Sequence, residues 1–248
     1  MKKSLFITAT VILAVGYCIY VAAPAHGRIF RTYRSLADNT LSASEKKEGY
    51  KLLFNGTSTD GWRTYKNEPA SWEIANGTVY CHKDSGDHYS DLITNDNYEN
   101  FELHVDWKME ANANSGILYM VTEQYEHSYL SGPEYQLLDN DGYKGQVQDY
   151  QKTGANYAME PPLVDAANPI GQWNHTVIIV NKGHVEHWLN GKKVVEYELW
   201  GDKWKAEKEH GKWKDAAGYG MTKAGHIAFQ DYHGNGDVWF KNVKLRKL

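Results

Sequence analysis

The chain has 248 residues, 42% of them hydrophobic and 23% charged, with a net charge of −4, a balance that suits one large globular domain with a full core. The charge supplies no field for nucleic acid, which drops from the expected partners. Nine Trp and 18 Tyr favour β structure and supply flat rings of the kind that stack on sugars. Lys2 and Lys3, an apolar run from Leu5 to Ala23 and then Pro24-Ala25-His26-Gly27 have the order of a secretory signal, with cleavage after Ala23-Pro24-Ala25. Residues 1–25 are therefore expected to direct export to the periplasm or the extracellular space. The run is also about as long as a membrane span, so an uncleaved signal anchor that tethers the domain to the membrane is the open alternative. Bulky Tyr17 before Cys18 disfavours lipidation, and without the leader Cys81 is alone, so no intrachain disulfide is expected.

Residues 26–48 are polar and mixed and read as a linker or as a short helix starting near Ser44. From residue 49 to 248 the texture is one of short apolar or alternating runs between Gly, Asn and Asp. Eleven strands are predicted: Tyr50 to Phe54, Trp72 to Ile74, Thr78 to Cys81, Phe101 to Lys108, Gly116 to Val121, Glu134 to Leu138, His175 to Val180, Val185 to Leu189, Lys193 to Leu199, His226 to Asp231 and Val238 to Leu245. Such a series points to an all-β sandwich or barrel. Asn76-Gly77 and Asn190-Gly191 lie between paired runs and supply the positive φ angles of two-residue hairpins. Trp200 to Lys214, rich in Lys and Glu, with Trp200, Trp204 and Lys208 spaced by four, predicts one charged surface helix.

No phosphate-binding glycine loop, nucleophile-elbow serine, His-Glu-x-x-His or paired cysteines occur, which removes nucleotide chemistry, serine hydrolysis and cysteine-held zinc. Chemistry is instead carried by polar residues on strands. In Gly132-Pro133-Glu134-Tyr135-Gln136-Leu137-Leu138-Asp139, alternation sends Tyr135 and Leu137 to the core and Glu134 and Gln136 to the other face. Asp139 has the opposite parity to Glu134 unless a β-bulge intervenes. Asn114 either closes a turn or offers its amide to a ligand at the sheet end. Ile227 and Phe229 read as core, which turns His226 and Gln230 outward, and His233 follows in a glycine-rich loop where it can exchange protons near neutral pH. Alternation separates His187 from Glu186, so His184, Glu186, His187 and Trp188 read as a structural cluster on a hairpin arm.

Leu53-Phe54-Asn55-Gly56 with Gly61-Trp62, Asn114-Ser115-Gly116-Ile117, Gly132-Pro133-Glu134-Tyr135-Gln136, Gly171-Gln172-Trp173-Asn174, Trp188-Leu189-Asn190-Gly191 and Gln230-Asp231 closing on Phe240-Lys241-Asn242 occur in that order. Together they resemble the 3-keto-disaccharide hydrolase family over about residues 49–248. The resemblance implies a concanavalin-like jelly-roll sandwich of two curved antiparallel sheets, export, and action on glycosides oxidised to a ketone at carbon 3, by hydrolysis or by elimination and hydration. It implies Glu134, His233 and Asp139 as catalytic and Asn114, Gln136, Tyr157, Gln230 and Asp231 as substrate-binding. The family's Gln-Asp-His-Gly is interrupted here by Tyr232. No cofactor is demanded by the sequence, and a divalent metal on carboxylate and imidazole groups stays open, with no ligand set assigned. The expected partner is an oligosaccharide or glycoside. A non-catalytic carbohydrate-binding module is the alternative, because fold alone does not fix function, and a conventional glucanase is disfavoured by Gln136 where a second carboxylate would stand.

Overall fold

The computed structural model describes residues 37–70, 72–82, 90–231 and 236–248. The expected leader, the first part of the expected linker, and His233 lie outside the described residues. Among the described residues thirteen strands are formed: β1 (Lys51–Leu52), β2 (Trp62–Thr64), β3 (Trp72–Ala75), β4 (Thr78–Cys81), β5 (Leu92–Thr94), β6 (Phe101–Met109), β7 (Asn114–Val121), β8 (Glu134–Leu138), β9 (Asn174–Asn181), β10 (His184–Leu189), β11 (Lys192–Glu198), β12 (His226–Phe229) and β13 (Val238–Lys247). The larger sheet runs β11-β10-β9-β6-β13-β4-β3, with β1 also on β13, and the smaller runs β2-β5-β12-β7-β8. All pairs are antiparallel. The expected all-β sandwich is what these residues form. Among the described residues no helix is long and apolar enough to cross a membrane.

Alternation builds the core. Phe101, Leu103, Val105 and Trp107 of β6 and Ile178 and Val180 of β9 face Leu92, Ile117, Tyr135, Leu137 and Phe229 of the smaller sheet. Phe229 and Phe240 stack in parallel at 4.1 Å and join the two sheets, and truncating a buried ring of this kind costs about 3–5 kcal/mol. Both expected hairpins form: Asn76 and Gly77 have φ of 51° and 75°, Asn190 and Gly191 of 49° and 81°. These are the left-handed angles of a turn whose twist matches its strands. Lys182 and Gly183 make a third such turn between β9 and β10.

The short helix expected near Ser44 forms, and the described residues around it are docked on the sandwich. Ser42 caps α1 (Ala43–Lys47) in a reciprocal box with Glu45, Asn39 and Asn242 exchange hydrogen bonds of 2.6 and 2.9 Å, and Lys244 pairs with Glu45. The helix expected over 200–214 is shorter, α2 (Asp202–His210), and the segment is not simply a charged surface. Trp204 and Trp213 are buried. Tyr219 stacks on Trp213 at 4.3 Å and on Trp204 at 6.3 Å, so the aromatic residues turn inward and leave the Lys and Glu side chains outside.

Candidate active site

Register across the smaller sheet places the site. Ile93 pairs with Ala228, Ala228 with Leu118 and Leu118 with Glu134. Side chains directly opposite share a face, so Glu134 ends a row whose other members are apolar. Ile93, Leu118 and Ala228 pack with Tyr65 and Val121 in a cluster separate from the inter-sheet core, which marks this as the sheet's outer face. One step along the same register lies a polar row. Gln230 donates its N–H to Gly116 O at 2.9 Å, Gly116 pairs with Gln136, and Asp91, just before β5, accepts the Asp231 N–H at 2.8 Å. Asn114 follows at the start of β7, beside Leu138. A bulge in β7 at Met120, with φ of 58°, shifts the register against β12 and returns Val121 to the outer face.

Glu134 points away from the inter-sheet core, as alternation predicts, yet is only 4% exposed. Its far side is closed by residues 154–157, which add an irregular extra strand: Gln136 N–H bonds Ala155 O, Gly154 N–H bonds Gln136 O, and Tyr157 N–H bonds Glu134 O at 3.0 Å. The carboxyl lies over Gly116, where a Cβ would stand 2.3 Å from Oε1 and 2.8 Å from Cγ. Glycine is needed there for space rather than for backbone angle. Burial pushes the Glu134 carboxyl up to about 8; Lys212 opposes the rise and Asp91 adds to it. Turned to satisfy both neighbours, the Gln136 amide nitrogen donates to Glu134 Oε1 at 2.8 Å and to Ser115 O at 3.2 Å, and its oxygen lies 3.3 Å from the Asn114 amide. Between the turn and site readings of Asn114 the structure divides the work: Asn112, with φ of 62°, makes the turn, and Asn114 opens β7 with its side chain on Gln136.

Asp139 does not join Glu134. β7 and β8 pair without a bulge from Asn114–Leu138 to Leu118–Glu134, so Asp139 keeps the opposite parity. Its carboxylate accepts the N–H groups of Asn112 at 2.8 Å and Gly142 at 2.9 Å. That geometry fixes two turns. Asp231 is likewise turned from the outer face: Cys81 Sγ donates to Oδ1 at 2.7 Å and Ser90 N–H to Oδ2 at 3.0 Å. Register sets Gln230 on the outer face, half-buried. Tyr157 stands beside Glu134; Gln151 Nε2 lies 3.5 Å from its hydroxyl, and Lys212 Nζ sits 4.1 Å from its ring centre.

Asp91 was not singled out by the sequence. It is half-buried, accepts from the Ser128 hydroxyl and the Asp231 N–H, and is pushed up to about 7 by its packed surroundings, with the Asp231 carboxylate adding. Thus the outer face holds two proton-retaining carboxyls among amides. The only signal for Asp91 is its place before Leu92-Ile93-Thr94, a strand too short to show a period.

Residues 49–246 match the family of 3-keto-alpha-glucoside-1,2-lyase-like domains. A 3-keto-disaccharide hydrolase of Bacteroides thetaiotaomicron is 34% identical over 231 residues, which cover 81% of this chain and 79% of that protein. Among solved structures, a candidate glycosyl hydrolase from Parabacteroides distasonis superposes with a TM-score of 0.80 at 39% identity, covering 86% of this chain and 100% of its own. A second from the same organism gives 0.64 at 27% identity, covering 80% and 99%.

Proposed function

The chain belongs to the 3-keto-alpha-glucoside-1,2-lyase-like family, that of the 3-keto-disaccharide hydrolases, and on that premise we propose that this carbohydrate-active enzyme is exported and cleaves 3-keto-glycosides by elimination and hydration. The observation that carries the reading is geometric: Glu134 and Asp91 lie on one outer face with the amides of Asn114, Gln136 and Gln230, and burial raises the two carboxyls to about 8 and about 7. A ketone at carbon 3 acidifies the carbon-2 proton. Asp91, ionised above about 7, takes that proton. The electron pair moves to the carbon-3 oxygen, where amide N–H groups from Asn114 and Gln230 stabilise the enolate. The enolate then expels the carbon-1 oxygen, which receives the proton held by Glu134. Water adds across the new double bond, its hydroxyl to carbon 1 and a proton to carbon 2, and gives the free 3-keto sugar. Nothing in this route requires two carboxylates at the roughly 5–5.5 Å separation of a retaining hydrolase, which fits the turning away of Asp139.

The test is the fate of the carbon-2 hydrogen. In heavy water the released 3-keto sugar carries deuterium at carbon 2, above the level reached by product incubated in buffer for the same time. Release with the original hydrogen retained, in a reaction too slow for internal return, points to displacement at carbon 1 instead. Binding of a 3-keto-glycoside without any release identifies a carbohydrate-binding module.

A further inference from the structure

The outer face of the larger sheet carries a second constellation, on the opposite side of the sandwich from Glu134. In the edge hairpin β10–β11, His184 pairs with Glu198 and Glu186 with Glu196. Val185, His187 and Leu189 face inward and are buried, so His184, Glu186 and Trp188 face out. Regular alternation in β11 would send Lys193 and Glu196 to opposite faces. A bulge breaks it: the register slips between His187 and Trp188, Val194 and Val195 both enter the core, and Lys193 and Glu196 share the outer face.

We propose that His184, Glu186 and Glu196 form a zinc site. His184 Nε2 lies 3.3 Å from Glu186 Oε1 and 3.3 Å from Glu196 Oε1. Ligand atoms at about 2.0–2.2 Å from a tetrahedral zinc stand about 3.3–3.6 Å apart; both imidazole–carboxylate distances already have that value, and all three ligand atoms lie within 4.8 Å of one another, so the two carboxylates need only close on the ion. Each ligand also has the outer partner that a metal site requires. Glu198 Oε1 holds His184 Nδ1 at 2.5 Å, which fixes the ring with Nε2 toward the carboxylates. The Trp188 indole donates to Glu186 Oε2 at 2.7 Å, and Lys193 pairs with Glu196 Oε2. Once His184 gives up its proton to the ion, as a ligating imidazole must, three carboxylates and one ammonium leave a net charge of −2, which a divalent cation cancels. Glu186 and Glu196 stand directly opposite each other, an arrangement that repels unless a cation lies between them. Imidazole with carboxylates suits zinc over magnesium or calcium, and exposed Glu196 leaves the fourth position to water.

The site is tested on the full chain after EDTA treatment and buffer exchange, by titration with zinc chloride. Expected are one zinc per chain, a rise in Tm, and, with cobalt chloride, the strong visible absorption of four-coordinate Co²⁺. His184→Ala and Glu196→Gln each weaken zinc binding at least about 10-fold and abolish the absorption, and Glu198→Gln weakens binding about 10- to 100-fold. Glu134→Gln leaves binding unchanged, which separates this site from the face that carries Glu134. If His184→Ala fails to fold, Glu196→Gln, at an exposed position, decides. No uptake by the parent chain, or uptake and Tm rise unaltered in Glu196→Gln, overturns the proposal and leaves His184 a cation held by its carboxylates.

Discussion

Glu134 occupies a position where solvation and chemistry oppose each other. Its side chain is only 4% exposed, so burial keeps the proton on well past the usual carboxylate range, to about 8; Asp91 is raised by burial too, but hydrogen bonds from the Ser128 hydroxyl and the Asp231 N–H hold it nearer 7. An acid and a base separated in this order give a narrow bell in kcat/KM, rising through about 7 as Asp91 ionises and falling through about 8 as Glu134 does, which a pH profile on a 3-keto-glycoside reads directly. Glu134→Gln removes the acid and is expected to lower kcat by about 10²–10⁴-fold while the alkaline limb disappears. Asp91→Asn removes the acid limb. A Glu134→Gln enzyme that retains full activity and the same bell contradicts the assignment. Lys212 tunes the upper limb from outside: its ammonium lowers the Glu134 value, so Lys212→Ala moves that limb to higher pH. Because Lys212 is exposed, salt screening keeps the move small.

At the scale of elements, the catalytic face depends on β7 approaching β8 without a side chain at residue 116. Gly116→Ala drives a methyl into Glu134 Oε1 and Cγ. Because Cγ as well as the carboxyl is met and Glu134 is buried, the overpacking lowers the unfolding free energy by about 1–3 kcal/mol, and the carboxyl leaves its place, so that kcat falls on the order of 100-fold, the loss expected from a misplacement of about 1 Å. A loss of activity no greater than the loss of folded protein would make Gly116 a packing residue only. The same elements show what the sequence exposed and what it hid. Alternation in β6, β7, β8, β9 and β10 was legible because each is long enough to show a period of two, and both Asn-Gly turns announced their hairpins. β2 and β5 have three residues each, below the length at which a period appears, and Asp91 was lost with β5. The faces of Glu134 and Gln136 could be read, but their burial could not, because the cover comes from residues 154–157 and the lysine-rich segment carrying Lys212, distant in sequence. Bulges were equally hidden: the one considered near Asp139 is absent, and those at Met120 and in β11 leave no mark in composition.

The whole molecule stores its titratable groups in two opposing sets, and their balance fixes the pH at which it is most stable. Glu134 and Asp91 are raised to about 8 and about 7, and Glu160 is raised by burial and by Glu207 beside it. A raised carboxyl binds its proton more tightly when folded, so its stabilising effect is complete below the ordinary value, 4.5 for Glu or 3.8 for Asp, and is lost as pH climbs to the folded value. The other set is depressed. His187, buried with Nδ1 on Gly154 O and Nε2 near the Tyr119 hydroxyl, is pushed down to about 4 by burial. His104 is pushed to about 4 by burial against the pull of Glu102. A depressed histidine destabilises as pH falls from 6.5 toward 4, because only the unfolded chain takes the proton. Glu102, although burial raises it, is brought to about 2 by bonds from His104, Tyr50 and Arg246, and its contribution is lost as pH falls from 4.5 through 2. Descending from alkaline pH, the first set gains stability from about 8 downward, the histidines begin to offset it at 6.5, and below 4.5 only Asp91 still gains, as far as 3.8, while the losses from the histidines and Glu102 outweigh it. Tm measured in metal-free buffer should therefore peak between about 4.5 and 6.5 and decline toward pH 9. Glu134→Gln, which has no proton to lose, should flatten that decline and leave the acid side unchanged. A wild-type Tm that is constant or rising from pH 6 to 9 would show that the Glu134 and Asp91 carboxyls ionise at ordinary values, and would remove with it the acid and base order on which the proposed chemistry rests.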